Sequence, residues 1–569
     1  MKKISILFII CILLFGGCED FLDTQNYTKQ TTANFPKNVT DAKQILTGIY
    51  NTMSLEFTDY ISSNFLLSEL ASDDRLGGGG GDDRTWHALD KLMNYGPSMV
   101  APFWKHRYEG IFRTNMAIET MGLVTDWESQ EQRDQLLGEI YFLRGYFYFT
   151  LVQVFGEVPL VLRTAPENLP KSPAADIYAQ AASDLKTAIE MLPAKPYTSV
   201  ASGHATKWAA QAMMARMFLF YTGYYDQQTL PLVDGGTISK AQVITWLDDC
   251  VANSGHSLVS DARNIWPYTN ELTGADYQYV IDNNLKWEGD GSKETVFAVK
   301  FSTLAAWGSS SRTGYSNQVA LATTPRDGNG LLNTFPLGRG WGGAPVSPKL
   351  WNDWASLEPG DIRREGSIFD VTEFDDYIWG DRTNQAEETG YWQKKYAVIT
   401  VKNPASSTGV HANYTIPMFG FSGDAYLSNN QDLIVIRLAD VLLMQSELKE
   451  DAVGLNLVRT RSGLAAKTYS LAAIKQERRF ELCFEGQRYY DLMRWGDAAD
   501  AMNNQIGVPI KNRGVEVVNG MKAFGGGYKA RYQATGGFWP IPSPQIDLSN
   551  GVLVQNKGWG TPEDEFPGW

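Results

Sequence analysis

The chain is predicted to be mostly α, with tetratricopeptide-like helix pairs supporting an irregular, loop-rich region that holds few short strands. Three observations predict this. Apolar residues recur at three-to-four spacing in two helical zones, about 39–252 and about 431–500. Between them, at about 255–430, Gly, Ser, Pro, Asn and Trp dominate. No charged or low-complexity linker divides the chain, so residues 39–569 are expected to form a single body.

At the N-terminus, Lys2 and Lys3 precede an apolar run from Ile4 to Phe15, followed by Gly16, Gly17 and Cys18. Residues 1–17 therefore read as a signal peptide, with small residues before the cut. The run falls well short of the roughly 20 residues a spanning helix needs. Cys18 directly after the glycine pair reads as a lipidation site. Phe15 stands where a lipobox usually has Leu, and plain secretion with a free Cys18 thiol is the alternative. Two acyl chains would make a durable anchor. Residues 18–38 are then a tether, opening on Glu19-Asp20-Phe21-Leu22-Asp23.

The chain carries a net charge of −14, and −16 once Lys2 and Lys3 are removed. Such a balance argues against nucleic acid as a partner, since phosphate backbones are bound by basic patches. It also supplies no polybasic segment for anionic lipid. Once Cys11 leaves with the signal and Cys18 takes lipid, Cys250 and Cys483 remain, with no CxxC and no disulfide framework. Both are expected to be buried thiols.

In the first zone, residues 39–56, 101–122, 130–155, 173–192, 204–224 and 239–252 read as helices. Ile177, Ala181, Leu185, Ala188 and Leu192 mark one apolar face. Lys207 to Phe220 is rich in Ala and Met, which lets helices approach closely. In the second zone, Leu433–Lys449, Val453–Arg461 and Ala472–Trp495 read as helices. Helix pairs of this size suggest degenerate tetratricopeptide packing, without a clean repeat of about 34 residues. In the middle, Thr295–Phe301 reads as a short strand, and eight of the 17 tryptophans fall there. Tryptophan on irregular backbone is costly unless packed or used.

Catalytic signatures are scarce. The chain has no HExxH, GxSxG or GxxxxGK[ST]. His87, His106, His204, His256 and His411 show no ligand spacing, and Asp327-Gly328-Asn329-Gly330 is too short for an EF-hand loop. No catalytic residue, metal or cofactor is expected.

Three stretches go beyond pattern. Glu139 to Phe149, closing on Val154-Phe155-Gly156-Glu157-Val158-Pro159, is an aromatic helix and its stop. Ile436 to Met444 is the second. The third is Glu477-Arg478-Arg479-Phe480-Glu481-Leu482, followed by Phe484-Glu485-Gly486-Gln487-Arg488 and Asp491-Leu492-Met493-Arg494-Trp495. Glu477, Glu481 and Glu485 share one helix face, with Arg478, Arg488 and Arg494 near enough to pair with carboxylates. A structural charge network is the preferred reading. The rival, Glu481 and Glu485 as an acid–base pair, needs a raised pKa, and neighbouring arginines would lower it.

Together with Pro540-Ile541-Pro542 and Gln555-Asn556-Lys557-Gly558-Trp559, these stretches resemble the SusD/RagB family of Bacteroidetes outer-membrane lipoproteins. The resemblance covers essentially the whole mature chain and is weakest in the Trp-rich middle. It implies a nutrient-binding protein without covalent chemistry, anchored in the outer membrane and facing outward. It further implies capture of a glycan and delivery to a SusC-like TonB-dependent transporter, over which the protein acts as a lid.

A sugar site needs aromatic plates and planar hydrogen-bonding groups. Two regions qualify. The first is Asp73, Asp74 and Arg75, the run Gly77–Gly81 read as a mobile loop, then Trp86 and Asn94. The second is Trp287, Trp307, Tyr315 and Trp341. Trp307 and Trp341 are expected to be exposed, Trp351 and Trp354 to be core, and Trp104, Tyr108 and Ile111 to be scaffold. A peptide or other nutrient, a purely structural lid, and a glycoside hydrolase are the competing readings.

Overall fold

The computed structural model describes residues 35–55, 57, 63–302, 316–326, 334–374, 377–380, 385–421, 428–521 and 525–567. The expected signal peptide, Cys18, Trp307 and Tyr315 lie outside them.

The first zone is a run of helices. They are α1 (Val39–Leu55), α2 (Asn64–Leu70), α3 (Arg84–Asp90), α4 (Ala101–Thr120), α5 (Gln130–Phe155), α6 (Ala174–Met191), α7 (Lys207–Tyr224) and α8 (Lys240–Asn253). α1 packs on α4, and α4 through α8 stack consecutively. The local causes are visible in the sequence. Ser129, Thr206 and Ser239 cap α5, α7 and α8 by accepting the backbone N–H of the third residue on. Gly156, at φ 73°, stops α5. Ile177, Ala181, Leu185 and Ala188 of α6 are all fully buried, as their spacing predicts. Small residues set the close approaches: a Cβ on Gly110 would come within 2.5 Å of Phe147, and one on Gly145 within 3.0 Å of the Ala181 carbonyl.

In the middle region, α9 spans Pro348–Leu357. The second zone differs from expectation at two places. Leu433–Arg437 is a strand, paired antiparallel with Thr295–Val299, before α10 (Leu438–Lys449) begins. Its β-branched Ile434, Val435 and Ile436 suit a pleated surface. α11 is Val453–Arg461. The stretch Ala472–Trp495 is not one helix: α12 (Leu471–Glu481) and α13 (Arg488–Arg494) are separated by a turn with Phe484 at φ 64° and Gly486 at φ 72°. α10 packs on α8, α11 and α12, and α13 packs on α7 and α2. One apolar core runs from Val39 to Phe566 and so includes both zones. Cys250 and Cys483 are buried free thiols, and burial pushes them up to about 12 and about 11.

The charged block is a buried network. Arg363 Nη1 donates to Glu477 at 2.6 Å and to Glu481 at 2.7 Å. Arg437 donates to Glu481 at 2.5 Å, Glu294 at 2.7 Å and Glu485 at 2.7 Å. Arg461 also donates to Glu481 and Glu294, Arg459 to Glu477, and Lys395 to Glu485. Glu485 stands beyond the end of α12, yet it joins Glu477 and Glu481 through these shared cations. Burial alone would raise the Glu481 carboxyl, but Arg461, Arg437 and Arg363 outweigh it and hold it well below the carboxylate range. Such a group is a poor proton donor, which removes the basis for an acid–base role.

A carboxylate held low contributes stability above its unfolded value and loses it as pH falls through the folded one. The melting temperature should therefore hold from about pH 7 to about pH 5, then fall below the ordinary glutamate value of 4.5. Glu481→Gln should melt lower at neutral pH and lose less on acidification. A thermal-denaturation series in pH checks both.

Candidate glycan-binding surface

The glycine run is not a mobile loop. Residues 75–79 lie antiparallel to 342–346, with Arg75 opposite Val346 and Gly78 opposite Gly343. Leu76 N–H donates to the Pro345 carbonyl at 3.1 Å, and Ala344 N–H to the Gly77 carbonyl at 2.9 Å. On the other side, Ala386 N–H donates to the Gly79 carbonyl at 2.8 Å. Glu388 then pairs with Lys511, and the hairpin Pro509–Asn512 with Val515–Val518 closes the array. Glycine is required because the strands and α3 crowd together. A Cβ on Gly77 would come within 2.7 Å of Glu387, and one on Gly78 within 2.5 Å of the Gly342 carbonyl.

This packing reassigns four of the expected ligand residues. Asp73 accepts from Arg488 at 2.8 and 2.9 Å, and Asp74 accepts from Arg479 at 2.6 and 2.9 Å. Burial opposes ionisation of Asp73, but Arg488 and Arg479 hold its carboxyl low. Arg75 is fully buried, its guanidinium 4.8 Å over the Phe484 ring and 3.6 Å from Glu69. Trp86 is 2% exposed, and a Cβ on Gly343 would come within 2.4 Å of its ring. These side chains are buried, and the two aspartates tie the array to the charged block. Asn94 is half-buried, and its backbone pairs with the C-terminal segment at Asp564 and Phe566. Trp287 is half-buried too, donating through Nε1 to the Ile265 carbonyl at 3.2 Å with its ring edge-on to Tyr414.

Trp341 is half-buried rather than exposed, and it connects to the far end of the glycine run. Its carbonyl accepts from Arg326 Nη1 at 3.0 Å, and the same nitrogen donates to Asp83 at 2.8 Å. Asp83 in turn accepts from Gly80 N–H at 2.6 Å. The neighbouring Gly81 lies against Arg513 of the hairpin.

Beside that hairpin is an open cleft of about 810 Å³. Its walls are the start of α9, the segment holding Thr372 and Trp379, the strand at Glu388–Tyr391, and the hairpin. Trp379 and Tyr391 are half-buried rings in its lining. Asn352, Thr372 and Glu516 line it as exposed polar groups. Lys511 Nζ stands 3.8 Å from the Trp379 ring centroid, and Glu516 is 3.9 Å from that ammonium. Glu388 is committed internally, accepting from Tyr377 Oη at 2.6 Å and Gly380 N–H at 2.7 Å. The cleft therefore offers ring faces and hydrogen-bonding groups at its rim, with its buried carboxylate already bonded. Trp354 is fully buried, whereas Trp351 is half-buried, stacked on Tyr391 at 5.2 Å with Arg364 at 4.3 Å from its ring.

Sequence reasoning missed Trp379, Tyr391 and Lys511 as a group, because three segments more than a hundred residues apart at the extremes bring them together. The only local signal was the density of tryptophan in the middle region.

A helical scaffold carrying an irregular array with an open aromatic cleft sets this fold apart from a plain helical-repeat rod. The family model described as starch-binding associating with outer membrane matches residues 20–219, and the SusD family model matches residues 283–559. The chain belongs to the SusD family. It is 23% identical to SusD-like protein P2 of Formosa agariphila over 98% of this chain and 100% of that one. A laminarin-binding SusD-like protein shares the fold at TM-score 0.69 and 24% identity, covering 92% of this chain and 100% of that one. Surface glycan-binding protein A of Bacteroides thetaiotaomicron, solved with laminarihexaose, does so at TM-score 0.70 and 21% identity, over 90% and 98%.

Asp73→Ala should lower the unfolding free energy by about 3 kcal/mol, because Arg488 is left buried beside a weaker partner. Its glycan binding at a temperature where it stays folded should match that of the wild type. Chemical denaturation and calorimetry measure the two.

Proposed function

We propose that this protein is a lipid-anchored, cell-surface glycan-binding protein of the outer membrane. It captures an oligosaccharide or polysaccharide and delivers it to a SusC-like TonB-dependent transporter. The observation that carries this reading is the cleft of about 810 Å³ lined by Trp379 and Tyr391. Sugar C–H faces pack on such rings, while hydroxyls bond to amide, hydroxyl and ammonium groups. Here Asn352, Thr372, Lys511 and Glu516 stand at those positions. Family membership supports the reading, as do the neighbours described as laminarin-binding and as a laminarihexaose complex.

Binding is non-covalent. The glutamates of the charged block are consumed by arginines, and Glu388 by Tyr377 and Gly380. Residues 1–17 direct export, Cys18 carries the lipid, and residues 18–38 form the tether through which the body swings above its transporter. Affinity is modest, since a ligand held too tightly would not pass on.

Calorimetry against a polysaccharide panel that includes laminarin should find a binder, and Trp379→Ala should weaken it at least about tenfold, or roughly 1.4 kcal/mol. Product released on prolonged incubation, and lost with a single carboxylate substitution, would sink the non-enzymatic reading. Cys18→Ala should move the protein from the membrane fraction to the soluble one; retention in the membrane would refute the anchor.

A further inference from the structure

Two cavities of about 350 and 180 Å³ meet at the loop 200–206, and neither shares a lining residue with the cleft. Ser202, Gly203, His204 and Ala298 line both. The larger lies between α1, this loop and the end of the strand Thr295–Val299, and its volume falls within the ~300–1,000 Å³ of small-molecule sites.

His204 is held by a chain of hydrogen bonds. Its Nδ1 is 2.7 Å from Glu139 Oε2, which also accepts from Tyr50 Oη at 2.6 Å. Tyr50 Oη is itself fixed by the Ala205 N–H at 2.7 Å. Glu139 is buried, so the carboxylate places the proton on Nδ1 and leaves Nε2 as the second hand of the ring. The side chain is 40% exposed, and Nε2 has no hydrogen bond among the described residues. Phe301 lines the same cavity and is half-buried, its ring braced edge-on by Phe57 at 5.7 Å. Asn51 and Ser202 supply further hydrogen-bonding groups. The charges at the rim are compensated within the protein: Lys300 bonds Asp432 at 2.5 Å, and Glu139 faces the imidazole.

We infer that these joined cavities are a second ligand site, shaped for one neutral sugar ring or a polyol of that size, with Phe301 under the ring and His204 Nε2 bonding a hydroxyl. A ring with an apolar face and a hydroxyl edge matches an aromatic floor with polar walls. Among the described lining residues, net charge on the ligand finds no free counter-charge. The site goes beyond the cleft and is independent of it.

The test uses the imidazole itself as the reporter. Nitrogen-15 spectra of the full-length mature protein are recorded with glucose, galactose, mannose, xylose and their β-linked disaccharides at millimolar concentration. At least one sugar should move the His204 resonances in the wild type and equally in Trp379→Ala. Phe301→Leu, which keeps bulk but removes the plate, should weaken that response at least about fivefold. Gly203→Val should abolish it, since a Cβ there would come within 2.5 Å of Lys300 Cγ. A wild type that no sugar perturbs, an unchanged affinity in Phe301→Leu, or loss of the response in Trp379→Ala each overturns the second site. Polysaccharide affinity left unchanged by Trp379→Ala, with the His204 response intact, refutes the cleft alone.

Discussion

The structure depends on a buried exchange of charge between three glutamates of one motif and cations drawn from four other segments. Glu477, Glu481 and Glu485 are met by Arg363, Arg437, Arg459, Arg461 and Lys395, with Glu294 completing the set. Taking each ion out of water costs several kcal/mol, so the arrangement is tolerable only when every charge is paired and hydrogen-bonded. That requirement is geometric. It holds the strand pair, α11, α12 and the irregular middle in one register, because displacement of any member strands a charge inside the protein.

From this knot the constraint passes outward. Arg479, on the same helix as Glu477 and Glu481, and Arg488, at the start of the next, clasp Asp74 and Asp73. Those aspartates fix the chain that becomes the glycine run. The run threads between 342–346 and the segment at Ala386, close enough that side chains are excluded. The last layer of the same array is the hairpin that walls the cleft. The proposed binding surface is thus held by a charged core, which is how irregular backbone can present rings in fixed positions without regular secondary structure beneath them.

The helices were readable because their information is local. Three-to-four spacing on α6, the Ser and Thr caps, and Gly156 after an aromatic helix each act within a few residues, and the structure follows them. Reading failed where distant partners outvote local pattern. Leu433–Arg437 looks like the start of a helix until Thr295–Val299 is beside it. Five glycines look mobile until their neighbours are known to lie within contact of a missing Cβ. Ser72-Asp73-Asp74-Arg75 looks like a polar binding loop until Arg479 and Arg488 arrive from some four hundred residues away.

Tryptophan shows the division most plainly. Sequence alone determined that this chain has a large helical body, an unusual density of aromatic residues on irregular backbone, and a charged block too compact to be accidental. It also set the chemistry available to a ligand. Only the tertiary structure decided that Trp86 is a buried strut and Trp379 a cleft wall, since both lie near glycine in sequence and differ only in what folds over them. Exposure is a property of the neighbours a side chain acquires from elsewhere in the chain, and those neighbours are fixed by the long-range pairing of charges and strands.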